Sequence, residues 1–291
     1  MTTPLIEEPE PNQLLLEALE NRWKNYRAEL KRCRAEFSQE AVHDLRVATR
    51  RVLALIQLLN AISPRPRLQK LSRAFEEQLD EFDDLRDTQV ILAEISEIIH
   101  ELPQLQDFQK HLQFTEERLL RTLRKKIKKL ETSEVTKRIR RTHESVETAA
   151  NDELGMQILQ AVDDVYLITK QRHGWIDLAR SATIHRVRIA FNSFLYMVEI
   201  IHPLVKDFPV GHLKRMNDYQ SLLGEIQDVE VFTQTLADFS EQTSFSDLES
   251  VRYYYKHRHA EAIAAFAEAL NQINTFWRSA PEQPFPWEKT E

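Results

Sequence analysis

One short pattern occurs twice, and whatever fold the chain adopts must carry both copies. Val42 to Arg51 reads Val-His-Asp-Leu-Arg-Val-Ala-Thr-Arg-Arg and Ile184 to Ser193 reads Ile-His-Arg-Val-Arg-Ile-Ala-Phe-Asn-Ser, with His-x-x-Arg-x-Ala in common. Wound as a helix at about 100° per residue, the first copy gathers His43, Arg46 and Arg50 on one side, opposite Leu45, Ala48, Val52, Leu55 and Ile56. The second sets His185 and Arg188 over Val187, Ala190, Phe194 and Val198. A single His-x-x-Arg is ordinarily no more than the solvated face of an amphipathic helix. Here a second shared element follows each copy at nearly equal separation: Leu85-Arg86-Asp87-Thr88-Gln89-Val90 after the first, Ile226-Gln227-Asp228-Val229-Glu230-Val231 after the second. Two matches in the same order mark an internal repeat, and two basic stripes facing each other are its expected product.

The repeat divides 291 residues into two parts of ordinary size. Only 4 glycines, beside 42% hydrophobic and 29% charged residues, point to an all-α chain, because strands and tight turns demand more glycine. The formal net charge of −7 does not indicate a globally basic nucleic-acid binder, so any polyanion must be drawn by local clustering. Charge is indeed segregated. Between Arg118 and Arg141 the acids are Glu131 and Glu134 alone, whereas Glu7, Glu8, Glu10, Glu17 and Glu20 load the start. Cys33, the single cysteine, shares an apolar stripe with Leu30 and Phe37; it reads as a buried structural thiol, with no intrachain disulfide and no cysteine metal site. The acidic start lacks the apolar core of a signal peptide, and no run approaches the roughly 20 apolar residues of a membrane span. A cytoplasmic location is expected.

Along the chain, residues 1–12 carry Pro4, Pro9 and Pro11 among acids and read as a disordered tail. A first repeat over 13–145, a second over 146–277 and a mobile C-terminal tail over 278–291 follow. Leu16, Leu19, Trp23, Tyr26, Leu30, Cys33 and Phe37 trace an amphipathic helix. Ser38 is placed to cap the motif helix, which must stop near Ile62 because Ser63-Pro64-Arg65-Pro66 follows. The next helix holds Leu71, Phe75, Leu79 and Phe82 inward with Arg73 on a neighbouring face; Lys214 matches Arg73 in the second repeat. Glu76, Glu77, Asp80, Glu81, Asp83, Asp84 and Asp87 crowd one helix and its end, an acidic solvated face rather than a metal site. Asp87 and Asp228 recur where the pattern breaks, and suit capping of a following helix or orienting a basic side chain. A long helix from Leu105 to Leu130 exposes Arg118, Arg121, Arg124, Lys125, Lys128 and Lys129. In the second repeat a first helix ends at Gly174, and the motif helix ends at His202-Pro203. One helix through Met216 and Leu223, a separate one from Asp228 to Phe239, and a last one from Asp247 to Trp277 complete it. In that last helix only Arg252, Lys256, His257, Arg258 and His259 remain of the basic stripe, and His257 and His259 diverge too far to chelate.

The duplicated His-x-x-Arg-x-Ala helix with a downstream Asp-x-x-Val resembles the CHAD family, the conserved-histidine α-helical domain, over nearly the whole chain. The family pattern carries Lys or Arg after the Ala in both copies and Leu-Gly before Arg-Asp. This chain has Arg50 and Arg51 in copy one but Asn192 and Ser193 in copy two; Gly224 stands only in copy two and Arg86 only in copy one. The resemblance implies two antiparallel four-helix bundles related by pseudo-twofold symmetry, with a basic surface that binds inorganic polyphosphate.

On that reading His43, Arg46, Arg50, Arg51, Arg118, Arg121 and Lys125 form the main cationic wall, and His185, Arg188 and Lys214 the opposing one, with Arg73 and Arg258 flanking. Arginine supplies forked donors and lysine a point charge to phosphoryl oxygens. Non-catalytic polyphosphate binding is expected, without cofactor, metal or membrane, in contact with polyphosphate granules where these exist. The competing readings are a metal-dependent polyphosphate or triphosphate hydrolase and a nucleic-acid-binding bundle. The first finds no P-loop, no His-x-x-x-His with a partnered acid and no strand-borne Glu-x-Glu-x-Lys; the second finds few aromatics beside the basic stripe for base stacking. Because the first copy carries more cations, it is expected to supply most of the binding energy.

Overall fold

The computed structural model describes residues 10–148, 153–243 and 248–289. Helices account for nearly all of it, with no strand among the described residues. In the first half, α1 (Pro11–Glu36), α2 (Gln39–Ile62), α3 (Pro66–Glu81), α4 (Asp83–Ile98), α5 (Gln106–Lys129) and α6 (Ser133–Glu147) follow one another. The second half has α7 (Leu154–His173), α8 (Ser181–Ile201), α9 (His212–Thr243) and α10 (Glu249–Ala269). The Ser38 hydroxyl caps α2 by accepting from Ala41 N at 3.2 Å. Pro64 and Pro66 then end it at Ile62 as the sequence dictates. No described helix is long and apolar enough to cross a membrane. Residues 1–9 of the expected acidic tail lie outside the described residues, and Pro11 already opens α1.

The two motif helices, α2 and α8, are the most deeply buried and cross at the centre. Glu199 on α8 receives Arg51 from α2 through Nε at 3.1 Å and Nη2 at 3.2 Å, with Arg22 of α1 beside it at 3.6 Å. Ser193 Oγ donates to Gln57 Oε1 at 3.0 Å. The same shift that carries His43 onto His185 carries Arg51 onto Ser193 and Gln57 onto Glu199. These two cross-helix contacts therefore join equivalent positions in reciprocal order, as an isologous contact does.

The hydrophobic interior is not partitioned by repeat. One cluster runs from Leu15 through the motif helices to Phe285. A second sets Ile91, Ile95, Phe108 and Leu112 of α4 and α5 against Phe232, Leu236, Val251 and Tyr255 of α9 and α10, with Phe232 and Tyr255 stacked at 3.7 Å between centroids. Both interiors draw on both halves. The expected boundary at 145/146 falls inside α6, whose Ile139, Thr142 and Val146 are buried.

Three expectations are corrected. First, the second repeat has no break before Asp228; α9 runs unbroken from His212 to Thr243. The first repeat does break, at Phe82, because Arg46 Nη1 donates to Leu79 O at 2.9 Å and Phe82 N to the same oxygen at 3.0 Å. That carbonyl would otherwise serve the Asp83 amide in a continuous helix. Second, Asp87 and Asp228 lie inside α4 and α9 and cap nothing. Third, the expected mobile tail is anchored. Phe285 is buried and stacks at 4.8 Å on Trp287, while Asp163 in α7 holds Arg278 at 2.6 and 2.9 Å and Trp277 Nε1 at 2.7 Å.

Asp163 is buried and all three of its contacts reach the C-terminal segment, so its removal strands the Arg278 charge. Asp163→Ala should lower stability in urea by about 3–5 kcal/mol. A loss below about 1 kcal/mol would mean that the aromatic contacts hold the segment by themselves.

Candidate functional site

Four helices converge beside the α2–α8 crossing, and each contributes a charged side chain. Arg46 is 5% exposed. Its Nη2 donates to Asp83 Oδ1 at 2.7 Å while Nη1 serves Leu79 O. The guanidinium thus closes the carbonyl end of α3, where a cation is favoured. A structural role takes up the side chain that the sequence set on the wall.

Its repeat equivalent is Arg188. In the second copy Gly224 stands where the first has Asp83, so Arg188 has no carboxylate at that place. Its Nε is buried without a hydrogen bond, and the side chain lines a cleft of about 520 Å³ between α4, α8, α9 and α10 with Gly224, Asp228, Glu94 and Arg258. Arg50 of α2 and Arg86 of α4 are half-buried in the same neighbourhood. Among the described residues none of these three arginines makes an ion pair or a side-chain hydrogen bond. Burial, Arg46 and Arg188 all push the Arg50 guanidinium below its ordinary value, against Tyr196 and Asp83. Arg86 is lowered chiefly by burial, with Arg46 and Arg188 adding to it and Asp228 and Asp87 opposing.

His43 is exposed at the edge of this group. Burial of part of its ring, then the charges of Arg86, Arg50 and Arg46, hold the imidazole below its ordinary 6.5, with Asp44 opposing. Two carboxylates are drawn in as well. Burial raises Asp87, helped by Asp83 and Asp228, and burial raises Asp228 against Arg188, Arg86 and Arg258. Crowded cations of this kind, short of direct partners, mark a candidate site for an external anion.

The remaining residues of the expected walls lie apart. Arg51 is tied to Glu199 in the α2–α8 interface. Arg73 is exposed on α3, and Arg118, Arg121 and Lys125 are exposed along α5, Arg121 lying 3.7 Å from Glu117. Lys214 pairs with Asp218 at 2.8 Å. Arg258 Nη1 is engaged by Glu94, which also receives the Tyr255 hydroxyl. His185 leaves the cluster altogether, its Nδ1 buried without a partner at the wall of a different groove. The single facing pair of walls is thus replaced by a compact centre and two outlying basic surfaces. Arg86 was the functional candidate missed, although Leu85-Arg86-Asp87 was already visible as the second repeated element.

The CHAD domain family model matches residues 17–237, more than half of the chain. The chain belongs to the CHAD family. Among solved structures, the crystal structure of the CHAD domain from the plant Ricinus communis superimposes with a TM-score of 0.66 at 18% identity, covering 95% of this chain and 93% of that one. At that identity the likeness concerns the fold. No curated protein matches the sequence. The family match ends within α9, so α10, which completes the second interior, lies beyond it although the superposition includes nearly the whole chain.

The CHAD motif histidine of the first copy has a titration consequence. With its folded value below 6.5, His43 is neutral at pH 7, and the unfolded chain takes up the proton first as pH falls. Its contribution therefore lowers stability as pH drops through about 6.5. Followed by NMR, Arg86→Ala should raise the His43 titration midpoint, and a bound polyanion should raise it further. An unchanged midpoint in Arg86→Ala would separate Arg86 from the cluster.

Proposed function

We propose that the chain binds inorganic polyphosphate, without hydrolysing it, at the centre formed by His43, Arg50, Arg86 and Arg188. The observation that carries this reading is the meeting of three arginines from α2, α4 and α8 that make no ion pair among the described residues, with burial and the nearby Arg188 both lowering Arg50 and Arg86. A bridging phosphate chain supplies the missing negative charge at each, and forked guanidinium donors suit its non-bridging oxygens. The exposed Arg118, Arg124 and Lys125 on α5 extend the attraction outward, where a longer chain makes further contacts. A neutral His43 donates one hydrogen bond and gains a second donor on protonation, so binding takes up a proton and strengthens as pH falls from 7 towards 6.

Among the described residues no three His, Cys, Asp or Glu side chains converge as a metal ion requires. Asp87 and Asp228 face arginines, an arrangement that orients guanidinium groups. A protein with this role would work in the cytoplasm, on polyphosphate granules where they form.

The test is titration with polyphosphate of defined lengths, and with single-stranded RNA at equal charge. Affinity for long chains should fall steeply with salt as counterions are released, and orthophosphate should bind far more weakly. Arg50→Ala and Arg188→Ala should each weaken binding about ten-fold, the effect of losing a charge-assisted hydrogen bond. Arg46→Ala should instead lower stability, because it unpairs Asp83 and uncaps α3. Equal affinity for orthophosphate and long chains would rule out multivalent contact. Preference for RNA would redirect the reading to nucleic acid, and phosphate release lost in Asp87→Ala would make the protein an enzyme.

A further inference from the structure

A large groove lies away from the arginine centre, between the start of α8, the second half of α9 and the first half of α10. Its volume is about 1060 Å³. From α10, Arg252, Lys256 and His259 line it at i, i+4 and i+7, a spacing that puts all three on one face. From α9, Gln227, Glu230 and Gln234 line it at i, i+3 and i+7. At about 1.5 Å per residue these stripes run side by side for roughly 10 Å. His185 and Arg186 of α8 close one end.

The polar inventory favours an anion. Among the described residues Arg252 and Lys256 have no ion pair, and His185 Nδ1 is buried without a hydrogen bond. Glu230 is the only acid in the lining, 3.7 Å from His259. Gln234 turns its amide towards Asp238 at 2.8 Å and Arg186 Nε donates to Ala182 O at 3.3 Å, contacts an incoming acceptor oxygen can replace. The first turn of α8, with Ser181 and Ala182 in the lining, has no side-chain cap. Cations strung along one helix face opposite amides suit a linear anion with charge at several successive positions.

We infer that this groove is a second, independent binding site for a short linear phosphate chain, held by Arg252, Lys256, His259, His185 and Arg186. The shared chemistry is a run of linked phosphoryl groups, whether inorganic or the tail of a nucleotide. Val231, Ala237 and the edge of Tyr255 in the lining offer the second kind an apolar contact that the first does not use. The inference stands on this groove and does not depend on the arginine centre.

Calorimetric titration of the full chain with tripolyphosphate and, separately, with ATP tests it, using the exposed-site variant Arg252→Glu/Lys256→Glu beside Arg50→Ala/Arg86→Ala. Unchanged far-ultraviolet circular dichroism and melting temperature serve as the folding control. The α10 variant should abolish one class of tripolyphosphate binding, or weaken it at least about ten-fold, while the other class persists. Tripolyphosphate and ATP bound equally in the groove would show that the phosphates alone are read, and tighter ATP that the apolar contact contributes. Titrations unaltered by Arg252→Glu/Lys256→Glu would overturn the groove assignment. Loss confined to Arg50→Ala/Arg86→Ala would leave only the centre, and loss confined to the α10 variant would leave only the groove.

Discussion

The centre of this protein depends on where one guanidinium finds its partner. Arg46 and Arg188 occupy the same place in the two copies of the motif, yet Arg46 meets Asp83 and the Leu79 carbonyl while Arg188 meets a position held by Gly224. The partnered arginine interrupts one helical layer and separates α3 from α4. The unpartnered one leaves α9 continuous and keeps its own donor for something else. One carboxylate exchanged for a hydrogen therefore divides two equivalent residues between holding the fold and facing a cleft.

This division also alters the balance of the two halves. Counting cations favours the first half, which has Arg50, Arg51, Arg86 and the basic run of α5. The margin is narrower than the composition suggests, since Arg46 and Arg51 are held by Asp83 and Glu199. The second half keeps Arg188, Arg252 and Lys256 without ion pairs among the described residues. A charge commits to a ligand only when the fold leaves it unsatisfied, and that is a property of neighbours more than of composition.

Much of the fold was legible because its signals are local. Ser38, Pro64 and Pro66, Gly174 and Pro203 set the helix ends where they were read, and the apolar spacing identified the buried faces. The break at Phe82 was not legible in this sense, because it comes from Arg46, a residue far away in sequence. The anchored C-terminal segment was missed for the same reason: Asp163, which holds Arg278 and Trp277, lies on α7. At the candidate site, the structure brings together His43, Arg50 and Arg188, which the repeated motif had singled out. The partners of Arg51 and Arg258 were not foreseeable from helical spacing, since Glu199 and Glu94 belong to other helices, whereas Asp218, four residues after Lys214 on the same helix, was legible as its partner.

The second interior has a consequence for how the chain reaches this state. Ile91, Ile95 and Phe108 are covered by Phe232, Phe239 and Tyr255, which leave the ribosome long after them. Until those residues are made, α4 and α5 expose an apolar face that nothing earlier in the chain covers. Contacts of such sequence separation are slow to form and leave a nascent chain vulnerable to association. The basic surface of α5 then acquires a second value during synthesis: a helix that waits for partners made late in the chain also carries a dense run of like charge, which keeps neighbouring unfinished chains apart.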